Sequence, residues 1–114
     1  MQTSQVRAAH ILQKHSGSRK PFDRVRQKEV TRSKSEAVAI IEEARSKIKS
    51  FTDFQKIAIS ISECGSGPKG GDLGKFGRGM MQKVFEDAAF ALDVGQMSGV
   101  VDTDSGIHII WRIE

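Results

Sequence analysis

Residues 64–92 read CGSGPKGGDLGKFGRGMMQKVFEDAAFAL. The stretch holds the only cysteine of a 114-residue chain and seven of its eleven glycines, followed by a Met/Phe-rich segment. Glycines set beside large apolar side chains mark a backbone path that must turn or approach another chain closely. From Lys83 to Leu92 the apolar residues recur at helical spacing, and Val84, Phe85, Ala88, Ala89 and Leu92 form the face expected to be buried. Gly95 ends that helix soon after. A short extended piece is expected around Lys75 to Gly77. The pattern suggests a small concave site lined by Leu73, Met81 and Phe85, with the Cys64 thiol at its rim. By periodicity alone the same three side chains also read as ordinary core.

Downstream, Val100 and Val101 lead into Asp102-Thr-Asp-Ser-Gly106, and Ile107 to Ile113 returns as a strand, the pattern of a hairpin. Ile107, Ile109, Trp111 and Ile113 share one face; His108, Ile110 and Arg112 share the other. Upstream, a short helix is expected over Asp53 to Ile59. A longer one, capped by Ser33 or Ser35, is expected to run to about Lys49 on the stripe Ala37, Ile40, Ile41, Ala44 and Ile48. Val6, Ala8, His10 and Leu12 alternate as a strand. Residues 13–31 are polar and basic and read as a long loop, of a length that in compact domains is often functional. Strands at both ends with helices between them specify an α+β domain in which the terminal strands pair in one sheet.

Bulk composition narrows the function classes. The length fits one domain, with 38% hydrophobic and 28% charged residues in an ordinary globular balance. One cysteine forms no internal disulfide, no run reaches the length of a membrane span, and the first ten residues lack a signal core. The expected location is cytoplasmic or nuclear. The +4 net charge is uneven. Eight basic residues against two acidic ones lie between Lys14 and Lys34, so the remainder is net acidic. That segment fits either an anionic partner or a solvated loop.

The segments VRAAHILQKHSGSRKP, TRSKSEA, GGDLGKFGRGMMQKVFEDAAFAL and TDSGIHII, taken together, resemble the parvulin family of peptidyl-prolyl cis/trans isomerases. Within it they are similar to the branch acting on phosphoserine- or phosphothreonine-proline bonds. The resemblance covers about Val6 to Glu114. It implies the parvulin-like (FKBP-like) superfold: a four-stranded, mostly antiparallel sheet surrounded by about four helices, with residues 1–5 as a tail. Members of this branch often carry an N-terminal WW domain, and none precedes Val6 in this sequence.

The resemblance also implies roles. His10, Cys64, Ser105 and His108, with Thr103 nearby, form the catalytic centre; Leu73, Met81 and Phe85 hold the proline ring. Lys14, Arg19 and Lys20 bind the substrate phosphate, and Gln82 and Ser66 touch the rim. Related enzymes commonly have arginine where Lys20 stands. Rotation about an amide bond breaks no bond, so no metal or other cofactor is expected. The implied partners are phosphorylated Ser/Thr-Pro protein substrates met by a monomer, with nucleic acid and membrane disfavoured. Two histidines and a cysteine also admit a metal or thiol-hydrolase reading, but no CxxC or helical HxxxH spacing accompanies them. The glycines lack the GxxxxGK[ST] order of a nucleotide loop. A contrasting class is a phosphopeptide- or nucleic-acid-binding module with little catalysis.

Overall fold

The structure is a computed structural model that describes residues 5–114. In chain order the elements are β1 (Gln5–Gln13), β2 (Phe22–Asp23), β3 (Lys28–Glu29), α1 (Lys34–Ser46) and α2 (Phe51–Ile61). A 3₁₀ turn (Gly67–Lys69), β4 (Asp72–Gly77), α3 (Lys83–Ala91), β5 (Val101–Thr103) and β6 (Gly106–Arg112) follow. The main sheet has the order β4-β1-β6-β5, and every ladder in it is antiparallel. The expected α+β class and the four-stranded sheet are therefore what the chain adopts.

The two central strands come from opposite ends of the chain and are covered on both faces. On one face Ala9, Ile11, Ile107 and Ile109 pack with Ala37 and Ile41 of α1 and with Phe54 and Ala58 of α2. On the other, Val6, Ala8, Phe76 and Ile110 pack with Phe85 and Ala89 of α3. A side-chain period of two sends neighbouring residues of β1 into different cores. Full burial of each large side chain stabilises by about 1.5–3 kcal/mol.

Boundaries depart from the sequence pattern for local reasons. Ser33 is the cap of α1: its hydroxyl accepts from the Glu36 N–H while the Glu36 carboxylate accepts from the Ser33 N–H. The helix stops at Ser46, short of Lys49, and Ile48 reaches the core from the following turn. Helix α2 starts two residues before Asp53, because Ser50 caps it through the Asp53 N–H. Val84 is corrected from buried to 54% exposed. Glu86 turns inward in its place and binds Arg78 and the Gly79 N–H. The extended piece before α3 starts at Asp72 and pairs with β1 at the sheet edge.

The 13–31 segment is not one structureless loop. Phe22–Asp23 pairs with Lys28–Glu29, and the buried Asp23 carboxylate closes the turn by accepting from the Val25 and Arg26 N–H groups. Of the expected tail, residues 1–4 lie outside the described residues, and Gln5 already pairs with Gly77.

Candidate active site

The β1–β6 register sets His10 opposite Ile110 and Leu12 opposite His108. The two histidines are therefore diagonal neighbours on one face of the sheet. Their rings stack with centroids 5.1 Å apart, and Nδ1 lies 2.9 Å from Nδ1. On its far side His108 Nε2 is 2.7 Å from Thr103 Oγ1. Burial, and then the charge His10 can carry, hold His108 well below the ordinary imidazole value, so it stays neutral at pH 7.

Hydrogen-bond accounting then places the protons. Thr103 is buried, its oxygen already accepts from the Ser105 N–H, and His108 Nε2 is the acceptor available to its hydroxyl hydrogen. His108 accordingly carries its proton on Nδ1 and donates to His10 Nδ1. His10 keeps a proton on Nε2, which is buried and has no partner of normal hydrogen-bond geometry.

Cys64 lies beside that nitrogen. Burial pushes its thiol up; the His10 imidazole, by hydrogen bonding and charge, and the Ser66 hydroxyl and N–H then bring it down to about 6. The preceding residue fixes the sulfur. Glu63 is 2% exposed; its carboxylate accepts from the Lys14 N–H and from Arg32 Nη1, both at 2.7 Å. Its own N–H donates to the Leu12 carbonyl.

Gly71 lets the glycine loop close over β1. Its φ is +85°, and a Cβ there would lie 2.3 Å from the His10 carbonyl oxygen. The same close approach makes a backbone hydrogen bond from the His10 N–H to the Gly71 carbonyl.

Two adjoining cavities share His10, Arg19, Cys64, Ser105 and His108. The first, of about 290 Å³, adds Leu73, Met80, Met81, Gln82, Phe85 and Thr103. Phe85 is 4% exposed and sets its ring edge-on to both imidazoles, at 5.4 and 5.2 Å between centroids. Leu73 and Met81 pack on the same apolar cluster, so the cup and the core are made of the same side chains. The second cavity, of about 230 Å³, adds Leu12, Lys14, Lys20 and Arg24. Arg19 is tied to the β5–β6 turn by its N–H on the Asp104 carbonyl at 2.7 Å. Gln82 Nε2 donates to Ser105 Oγ at 2.7 Å and joins the start of α3 to the same turn.

A larger cavity of about 660 Å³ borders the hairpin through Gln82 and Thr103. Of its charges Lys34 pairs with Asp102 and Lys83 with Asp87, and it lacks both the thiol and the apolar cup.

Residues 1–113 match the model of the PPIC-type PPIase domain. The chain belongs to the parvulin family of peptidyl-prolyl isomerases. It is 52% identical over 109 residues to the putative peptidyl-prolyl cis-trans isomerase dodo of Drosophila melanogaster, matching 95% of this chain and 65% of that protein. It is 47% identical over 112 residues to the peptidyl-prolyl cis-trans isomerase Pin1 of Arabidopsis thaliana, matching 95% of this chain and 94% of that one. Among solved structures, the peptidyl-prolyl isomerase ESS1 of Candida albicans superposes with a TM-score of 0.89 at 36% identity, over 97% of this chain and 63% of that one. The solution structure of TbPIN1 gives 0.86 at 42%, over 99% and 100%.

In this parvulin domain the expected site residues largely come together. Ten of the thirteen, His10, Cys64, Thr103, Ser105, His108, Arg19, Leu73, Met81, Gln82 and Phe85, line the apolar cavity. Lys20 lines the basic one. Lys14 also lines it but is 6% exposed, with Nζ donating to the Phe22 carbonyl at 2.6 Å. Ser66 lines neither cavity; its carbonyl accepts from the Lys69 and Gly71 N–H groups. Sequence reasoning missed Met80 and Arg24. Met80 sits in the quoted Met-rich run, while Arg24 was one of eight similar charges with nothing in the pattern to single it out.

Proposed function

We propose that this chain catalyses cis–trans isomerisation of phosphoserine- and phosphothreonine-proline bonds in proteins, without a covalent intermediate. The observation that carries the reading is the sharing of one wall, His10, Arg19, Cys64, Ser105 and His108, by an apolar cavity and a cationic one. A proline ring fits the first, and the phosphate of the preceding residue reaches the second.

The barrier to be lowered is about 18–20 kcal/mol and comes from amide resonance. Resonance places negative charge on the carbonyl oxygen, and twisting removes it. Water stabilises the charge-separated planar form; a dry cavity floored by Phe85, Leu73 and Met81 does not. A thiolate at Cys64 near that oxygen raises the planar form further while leaving the twisted form less affected. Only such a difference between planar and twisted amide accelerates the rotation. The cations hold the phosphate and immobilise one side of the bond, so that the other side turns.

Exchange spectroscopy on phosphoSer-Pro and Ser-Pro peptides tests the assignment. Much faster exchange on the phosphorylated peptide is expected; equal rates, or binding without exchange, refute it. Cys64→Asp keeps a negative charge but no thiol. It is expected to retain more activity than Cys64→Ala, and equal inactivity of the two would remove the electrostatic role. The lone thiol suits a reducing cytoplasmic or nuclear setting, and no helix of the described residues is long and apolar enough to cross a membrane. Light scattering is expected to give a monomer.

A further inference from the structure

The basic cavity contains a cation that the family pattern does not assign, and the cation that the pattern does assign there is otherwise engaged. Of the four charges lining it, Arg19, Lys20 and Arg24 are exposed, and none has a carboxylate partner among the described residues. Of their neighbours in the same segment, Arg26 pairs with Asp23, Arg32 with Glu63 and Lys34 with Asp102, while Lys28 has no carboxylate partner among the described residues and does not line the cavity. Lys14 is buried against the Phe22 carbonyl.

We propose that Arg24 is the third ligand of the substrate's anionic group, acting with Arg19 and Lys20, and that Lys14 positions the hairpin that carries it. The β2–β3 hairpin is anchored on both sides of Arg24. Before it, Lys14 Nζ holds the Phe22 carbonyl, and the Asp23 carboxylate, 1% exposed, closes the turn. After it, Arg26 reaches across to the Ser60 and Ser62 carbonyls at the end of α2. What remains free to point into the cavity is the guanidinium between them.

The chemistry favours a dianion with three oxygens. A guanidinium offers a planar fork of donors, and two of them with an ammonium in one cavity match a phosphate better than a carboxylate, which has one charge and two oxygens. Arg24 is exposed, so its loss removes a ligand rather than a support. Lys14 is lowered from its ordinary value first by burial, with Arg24 among the charges acting on it, which agrees with the two cations being close.

This proposal rests on the phosphate-directed reading above and is tested by isomerisation of phosphoSer-Pro, Glu-Pro and Ser-Pro peptides by the wild type, Arg24→Ala and Arg24→Lys. Arg24→Ala is expected to cut the phosphoSer-Pro to Ser-Pro ratio of kcat/KM about tenfold, or about 1.4 kcal/mol, mainly through KM. Its KM should also depend less on ionic strength, and Arg24→Lys should recover part of the loss. A merely structural role would lower kcat on all three peptides together and leave the ratio in place. A loss of phosphate preference below threefold, in a wild type that does prefer phosphate, overturns the role of Arg24 alone. A wild type without phosphate preference overturns both readings.

Discussion

The two halves of the cleft are built in opposite ways. The apolar half is a dent in the hydrophobic core: Phe85 is 4% exposed and packs with Val6, Phe76, Ala89 and Ile110. The basic half hangs on a segment between β1 and α1, and three of its four cations face solvent. Substitution in the first half therefore changes stability and chemistry together, whereas substitution in the second changes recognition and little else.

The largest effect is expected from Phe85→Ala, which opens a cavity under both histidines. Urea denaturation should show a loss of about 3–5 kcal/mol, and isomerisation should fall for phosphorylated and plain peptides alike. A stable variant that fails on both peptides would sharpen the contrast by separating cup from core.

Next is Glu63→Ala, at the seam of the two halves. Removing the carboxylate leaves Arg32 without its buried partner and the Lys14 N–H without its acceptor. About 3 kcal/mol of stability should be lost, together with a slower reaction of Cys64 with an alkylating agent. Unchanged stability would mean that the loop does not depend on this anchor.

Arg19→Ala should raise KM for a phosphorylated peptide about tenfold, the scale of one charged hydrogen bond. Its melting temperature should move little, because the side chain is exposed. A large fall in melting temperature would break the division between a structural cup and a purely recognising loop.

The last contrast is the pH dependence. Cys64 titrates near 6 instead of 9.0, so between those values the folded chain binds fewer protons than the unfolded one. Stability should rise with pH across that window and be lost as pH falls through about 6. His108, also held down, adds a further loss below about 6.5, where only the unfolded chain takes up the proton. Cys64→Ser should abolish the first component and keep the second. Alkylation of the wild-type thiol should show a midpoint near 6; a midpoint near 9 would break the assignment.

What could be read in advance follows the same division. The alternation within β1 and within β6 was legible, because in a sheet buried on both sides periodicity and position coincide; that the two histidines share a face follows only from the register between the strands. The turn Asp-Ser-Gly and the Ser33 cap were legible because each signals its geometry within a few residues. The β2–β3 hairpin was not, since its strands are two residues long and its turn is held by one buried aspartate. Nor could the sequence separate Lys14 from Arg24. Which of two neighbouring cations is buried on a carbonyl and which faces a cavity depends on how a loop folds back on the domain.

His10 and His108 are 98 residues apart, on the first and last strands, yet their rings touch. The imidazole pair therefore exists only once β1 and β6 have paired. Long-range pairing of this kind is slow to form, so the step that closes the sheet is also the step that assembles the centre.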